Sequence, residues 1–543
     1  MRNLTFLLIA TFMIISSCTN KKQKVDSIVI NAKVYTVDSS FQMAESFAVQ
    51  AGKFIAVGNS KEILEKYNSD QIIDLGGKPV YPGFYDAHCH FVGYGINLQN
   101  ADLNGTKSFD QIIERIKEHA LKYPTDWILG RGWDQNDWAV KEFPDNEKLN
   151  IAFPNTPVML TRIDGHAAIA NSEALKRAKI TINSKIEGGK FIIKNGKLTG
   201  VLIDNAIELV TKQIPKPDKE LLTQLLLEAQ KACFNVGLTT VDDAGLTKTE
   251  ILLIDELQKS DSLKMRIYAM LESTSENMDY FVKKGPYKTE SLNVRSIKLY
   301  ADGALGSRGA CLLTEYSDDH GNLGLLLNDP KKLIDFCKLA YDNNYQVNTH
   351  AIGDSANRLM LNIYAQILKG KNDKRWRIEH AQVVDEKDFT LFKQYSIVPS
   401  VQPTHATSDM YWADERLGND RIKYAYAYKT LLAQNGWIAA GSDFPIEDIN
   451  PLYGFFAAVA RQDFQSYPET GFQMENAIGR EEALKAMTIW AAKSNFEENE
   501  RGSIEVGKLA DFVVTEKDIM AIDIKEVPKV KVEQTFIGGN RVF

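Results

Sequence analysis

His88 and His90 stand two residues apart at the end of the apolar segment Tyr85-Asp86-Ala87-His88-Cys89-His90. On a β-strand such residues face the same side, and inside a barrel both imidazoles reach one metal ion. Three further apolar runs end in the same chemistry, at Thr349-His350, Glu379-His380 and Ser442-Asp443. A His-x-His pair alone is a weak signal, since nearby histidines are more often solvated or hydrogen-bonded. Four such strand ends are hard to ascribe to accident: the chain holds eight histidines, and four fall here. Lys298, in Ile297-Lys298-Leu299-Tyr300-Ala301-Asp302-Gly303, is another inward candidate. A buried lysine is costly unless it is paired or chemically altered. Carboxylation by carbon dioxide would turn it into an anion bridging two metals; the bland alternative is a lysine that snorkels to the surface.

The elements that must position these residues are eight apolar runs of strand character, beginning near Val80, Leu238, Met265, Val294, Tyr345, Arg375, Ile397 and Ile438. Helical stretches such as Lys219 to Asn235, Pro330 to Asp342 and Glu481 to Ala492 alternate with several of them. That alternation predicts an α/β fold, a TIM-like (β/α)8 barrel over residues 81–495, with its chemistry at the carboxyl ends of the strands. Residues 91–204, roughly, then form an insertion after the first barrel strand, placed to rise over the site as a lid or substrate wall. Its aromatic-rich segment Gly130 to Trp138 includes Trp133, and it also carries Arg162-Ile163-Asp164-Gly165-His166. Residues 27–80 and 500–543 read as short strands, with a hairpin-like break at Gly52-Lys53, and predict one small β-sandwich built from both termini.

At 543 residues with 44% apolar and 25% charged content, the chain can bury a large core. A net charge of −7 offers no basic surface for nucleic acid, and no phosphate-cradling glycine loop is present. Arg2 followed by the apolar stretch Leu4 to Ile15 predicts an export signal over residues 1–17, too short to span a bilayer. It closes on Ile15-Ser16-Ser17-Cys18, which resembles a bacterial lipobox; an ordinary secretory signal with an incidental cysteine is the alternative. The lipobox predicts a mature chain that starts at a diacylated Cys18, with residues 18–26 as a tether, anchored to the cell envelope. Cys89, Cys233, Cys311 and Cys337 lack Cys-x-x-Cys spacing and read as buried thiols, with a disulfide left open.

The chain resembles the metal-dependent amidohydrolase superfamily, and within it the YtcJ-like group that also includes N-substituted formamide deformylase. The resemblance rests on Pro82-Gly83-Phe84-Tyr85-Asp86-Ala87-His88-Cys89-His90, Asp164-Gly165-His166, Asp302 to Arg308, His350-Ala351-Ile352-Gly353-Asp354, Glu379-His380-Ala381-Gln382, Gln402-Pro403-Thr404-His405 and Gly441-Ser442-Asp443-Phe444-Pro445. It implies that His88, His90 and Asp443 bind one metal, that His350 and His380 bind a second, and that carboxylated Lys298 bridges them. Imidazole and carboxylate ligands suit Zn²⁺, one or two ions, with iron or manganese also compatible. A metal-bound hydroxide would then attack the carbonyl of a small amide, N-acyl or N-formyl substrate, with Asp443 shuttling the proton. His166 and His405 are further catalytic candidates for holding the oxyanion. Arg308, Asp302 and Trp133 are the expected substrate contacts, a structural salt bridge being the plain alternative for Arg308. The rival activity is deamination of a ring carbon; a binding lipoprotein is the non-enzyme alternative. A dimer is the assembly considered.

Overall fold

The computed structural model describes residues 22–123 and 125–543; the export signal and Cys18 lie outside the described residues. The central sheet runs, in spatial order, through Phe84–Cys89, Leu238–Leu246, Arg266–Glu272, Leu292–Tyr300, Gln346–Ala351, Arg377–His380, Val398–Val401 and Ala439–Ala440. Each neighbouring pair is parallel. Spatial order follows chain order because helices such as Lys219–Asn235, Lys248–Lys259, Pro330–Asp342 and Asp354–Leu368 carry the chain back outside the sheet. The barrel nearly closes through two backbone bonds, from the Asp443 amide to the His88 carbonyl at 2.7 Å and from the His90 amide to the Phe444 carbonyl at 2.8 Å.

The first barrel strand begins at Phe84, not near Val80. Val80 lies on Pro79–Pro82, which belongs to a different sheet, and Gly83 separates the two. A Cβ at Gly83 would lie 2.2 Å from the Thr239 hydroxyl, so this crossing requires glycine. The apolar segment from Ser27 to Thr36, which reads as one strand, forms two, Ser27–Ile30 and Lys33–Tyr35, broken at Asn31 with φ of 51°. They serve separate sheets. One orders Lys53–Gly58, Ser46–Gln50, Ser27–Ile30 and Ile72–Asp74; the other combines Met43–Ala44, Lys33–Tyr35 and Pro79–Pro82 with Phe512–Thr515, Val532–Ile537 and Asn540–Arg541. Phe47 and Phe512 meet edge to face at 4.9 Å between their ring centres, in a core shared with Val29, Val34 and Val514.

Gln23 to Asp26, expected as tether, instead join this region: Gln23–Lys24 pairs with Tyr67–Asn68, and Val25 is buried. The helix expected from Glu481 to Ala492 is broken at Thr488 (φ −144°, ψ −99°) into Arg480–Ala486 and Ile489–Ser494. Within the insertion, six strands form a separate sheet in the order Ala101–Asp102, Ile128–Trp133, Val158–Arg162, Ala167–Ala170, Lys197–Asp204 and Gly189–Lys194. Its own apolar core holds Leu103, Ile112, Ile116, Trp133, Trp138 and Leu160. Cys89 packs with Cys233 in the core between barrel and helices, facing away from His88 and His90, and the four described cysteines are all free.

Candidate active site

Lys298, His350 and His380 lie on the fourth, fifth and sixth barrel strands; His88 lies on the first, His90 one residue past its end, and Asp443 just beyond the eighth. One nitrogen of His88, one nitrogen of His380 and one oxygen of Asp443 all lie within 4.8 Å of one another. His90 Nε2 is 3.3 Å from Asp443 Oδ1, and the His350 and His380 ring centres are 4.6 Å apart. Lys298 is buried with Nζ 3.0 Å from His88 Nε2. All six expected positions therefore converge at one end of the barrel. His380 and Asp443 both adopt left-handed backbone, with φ of 72° and 64°. That turn takes His380 off the strand alternation, which is why it and its neighbour Glu379 serve the same centre.

Each imidazole is fixed by its outward nitrogen. His88 Nδ1 is 2.7 Å from Glu379 Oε2, His380 Nδ1 is 2.8 Å from Gln402 Oε1, and His90 Nδ1 is 3.0 Å from the Ala244 carbonyl. A carbonyl or carboxylate oxygen can only accept, so these nitrogens carry the protons and each Nε2 presents a lone pair to the centre. His350 is held the other way round, with Nε2 3.4 Å from the Gly303 carbonyl. Burial lowers the pKa of His88 and holds His350 and His380 well below the ordinary histidine value, so these three are neutral imidazoles. Burial would raise Asp443, but the imidazole of His90, and then those of His88 and His380, hold it well below the usual carboxylate range. Its Oδ1 has no hydrogen-bond partner. Buried lone pairs converging on an unpaired carboxylate oxygen are a donor set that fits a divalent ion such as Zn²⁺. Burial pushes Lys298 down to about 8, against the opposing pull of Glu379 and Asp443.

His166 sits in the turn between two strands of the inserted sheet, its ring centre 5.0 Å from that of His350, with Nδ1 2.7 Å from Asp204 Oδ1. His405, on the short helix Pro403–Asp409 after the seventh strand, stacks on His380 at 5.8 Å. Its Nε2 is 3.9 Å from Asp443 Oδ2 and has no hydrogen-bond partner. Both histidines line an inner cavity of about 190 Å³ together with His90, Lys298, His350, His380 and Asp443.

None of the three expected substrate contacts lines that cavity, although Asp302 Oδ1 lies 3.6 Å from His350 Nε2. Trp133 is fully buried in the core of the insertion and donates Nε1–H to the Leu160 carbonyl at 2.8 Å, because its ring supplies the apolar volume that the small sheet needs. Arg308 is neutralised by Asp318, Nη2 to Oδ2 at 2.8 Å. Asp302 is buried and accepts from the amides of Cys311, Ile352 and Gly353 at 2.8, 3.0 and 2.8 Å, tying down the loop that follows His350. Sequence reasoning gave no role to Glu379, Gln402 or Asp204, which orient His88, His380 and His166. Glu379 and Gln402 do lie inside motifs that carry histidines; Asp204, at the far end of the insertion, has no local signal.

A parallel eight-stranded barrel with a histidine–carboxylate cluster at the carboxyl ends of its strands defines the class of metal-dependent hydrolases. Residues 71–543 match the amidohydrolase family model, and the chain belongs to that family. It is 31% identical over 522 residues to the putative amidohydrolase YtcJ of Bacillus subtilis, covering 94% of this chain and 98% of that one. N-substituted formamide deformylase of Arthrobacter pascens is 24% identical over 539 residues, covering 95% and 97%. The crystal structure of an uncharacterized metal-dependent hydrolase from Pyrococcus horikoshii superposes with a TM-score of 0.75 at 27% identity, covering 92% of this chain and 99% of that one. The chain is accordingly a hydrolase of the metal-dependent amidohydrolase superfamily.

Proposed function

We propose that the protein hydrolyses the carbon–nitrogen bond of small non-peptide amides, N-acyl or N-formyl compounds. The observation that carries this reading is the convergence of His88, His380 and Asp443 with an unpaired Asp443 oxygen on a cavity of about 190 Å³. Likeness to a formamide deformylase supports the bond type. His88, His90, His350, His380 and Asp443 would hold one or two ions, Zn²⁺ by donor type, with Lys298 between them as a carboxylated bridge. When bound, such ions polarise a carbonyl and make water acidic. Burial favours the neutral Lys298 amine, the form that can add carbon dioxide.

Asp443, ionised and on the cavity wall, accepts the proton of the attacking water and returns it to the leaving nitrogen. Glu379 and Gln402 hold their histidines in one tautomer through the cycle. His166, oriented by Asp204, and His405, with a free Nε2, stand where a donor can meet the carbonyl oxygen as it gains charge. Ile163, Leu305 and Trp412 give the site an apolar patch of wall. The deciding experiment is a turnover screen of N-formyl, N-acyl and cyclic amides with metal-reconstituted protein. Amine and carboxylate products are expected, with activity lost on chelation and regained with one to two equivalents or so of Zn²⁺. Ammonia from ring amines alone would assign the deaminase chemistry instead.

The proposal extends to the termini: residues 27–80 and 500–543 act as one β-sandwich domain, and the chain is exported and lipid-anchored through Cys18 in the bacterial envelope. What supports the anchor is the sequence Ile15-Ser16-Ser17-Cys18. Cys18→Ser is expected to abolish detergent partitioning; a variant anchored like the parent would remove this part of the proposal.

A further inference from the structure

Two cavities of different character meet at the histidine cluster. The inner one, about 190 Å³, sets an apolar patch of Ile163, Leu305, Ile352, Trp412 and Ile446 beside polar groups that include Asp134, Gln382 and Asp409. The outer one, about 970 Å³, lies between the barrel mouth and the inserted sheet and is lined by Arg131, Thr161, Asp164, His166 and Asn205 among others. His90, His166 and Asp164 line both, so a molecule held at the cluster extends into each.

Arg131 is the arginine on the outer wall. Its Nη2 donates to the Ile163 carbonyl at 3.0 Å, while Nε is buried without an acceptor. Arg162, on the adjacent strand, is by contrast neutralised by Asp134 and by Asp164, the latter at 2.6 Å. Among the described residues Arg131 has no such ion pair. A bulge between Arg131 and Trp133 re-aims the strand at this point, and Gly132 takes φ of 109° there. Beneath the guanidinium, Gly165 (φ +76°) keeps the turn clear: a Cβ there would approach Arg131 Nη2 to 3.3 Å. A guanidinium steadied by one backbone carbonyl, with donors left over at a site wall, matches the fork of a carboxylate.

We infer that Arg131 binds a carboxylate carried on the amine side of the substrate, so that the preferred substrates are small N-acyl amino acids or kindred acid-bearing amides, an inference that rests on the amide-hydrolase reading above. The apolar patch of the small cavity takes a short acyl group, and the larger cavity takes the charged leaving amine. The inner cavity is a poor receptor for the acid because its own arginine, Arg162, is already paired twice.

The test compares N-formyl and N-acetyl amino acids with their C-terminal carboxamides, using the metal-loaded full chain and the variants Arg131→Met and Arg131→Lys. Wild type is expected to favour the acids by roughly 10- to 100-fold in kcat/KM, mainly through KM, the usual worth of a charged hydrogen-bonded pair. Arg131→Met should bring the ratio close to one, and Arg131→Lys should retain part of it. Equal handling of acids and carboxamides by wild type, which needs no variant to fold, would overturn the inference, as would a preference undiminished in Arg131→Met. If nothing in the panel is turned over, the amide-hydrolase reading fails separately. Calorimetric affinities for the same compounds then decide: tighter binding of the acids by wild type and parity in Arg131→Met support Arg131 as the receptor, while equal or absent binding refutes it.

Discussion

Asp443 combines three properties that seldom coincide: it is buried, held ionised by His90, His88 and His380, and has one oxygen free of hydrogen bonds. Asp443→Asn preserves shape and a ligating oxygen but cannot accept a proton at neutral pH. Turnover is expected to fall by about two to four orders of magnitude with metal content kept, as rates and metal analysis on one preparation will check. Lys298 invites a different measurement, on the metal-free chain. Its folded pKa, about 8, lies below the unfolded 10.5, so below 8 both states carry the proton and the native state bears the full cost of a buried charge. Between those values the unfolded state holds more protons, so wild-type stability rises with pH across that window. Lys298→Met removes the cost, on the order of 3 kcal/mol by the size of the shift. The metal-free variant should melt above metal-free wild type at neutral pH, with the gap closing as pH climbs from 8 toward 10.5. A gap that is absent, or constant with pH, would contradict the burial assigned to Lys298.

At the scale of elements, the inserted sheet acts as a second small protein whose edge is the roof of the site. Its core turns on Trp133, which packs against Trp138 and Phe143 at 6.0 and 6.4 Å between ring centres. Trp133→Ala should therefore destabilise this sheet by about 3–5 kcal/mol. His166 then loses its placement, so kcat/KM should drop while the barrel histidines keep their metal. Differential melting and metal analysis together check this, and an intact melting profile with altered substrate preference would return Trp133 to the role its sequence suggested. Trp133 shows why some of the site was illegible: an aromatic in a lid is a substrate wall or a core residue depending on the sheet behind it, and that sheet is set by contacts distant in sequence. The candidate metal-site residues were legible because strand periodicity, a local property, puts His88, Lys298 and His350 on inward positions. Glu379 escaped because alternation aims it away from His380; the positive φ of His380 that overrides alternation is fixed by tertiary packing. The strand break at Asn31 escaped likewise, as no proline or glycine marks it.

Across the whole molecule, chemistry and cohesion are kept at opposite ends of the barrel. The histidine–carboxylate cluster gathers at the carboxyl ends of the strands, while the sheets at the termini grip the opposite end. The grip includes Arg266, first residue of the third barrel strand, whose buried guanidinium pairs with buried Asp511 through Nε to Oδ2 at 2.7 Å and Nη2 to Oδ1 at 3.0 Å. Gly538 also donates its amide to Asp511, at 2.8 Å, so one carboxylate joins the barrel to two C-terminal segments. Burial would raise the pKa of Asp511, but Arg266 holds it below the ordinary aspartate value. Arg266→Ala would strand that carboxylate, costing about 3–5 kcal/mol as for other broken buried pairs. In the variant burial prevails and the folded pKa lies above the unfolded one, so its stability falls as pH rises from the unfolded aspartate value. Wild type behaves oppositely, losing its pair only as pH drops through the depressed folded pKa. The stability gap between the two should thus be widest near neutral pH and narrow on acidification, while kcat/KM of the metal-loaded variant stays near wild type below its melting transition. Melting curves over several pH values, read beside activity, check both halves. Loss of kcat/KM in a variant that melts like wild type would mean that the two ends of the barrel are coupled and not divided between cohesion and catalysis.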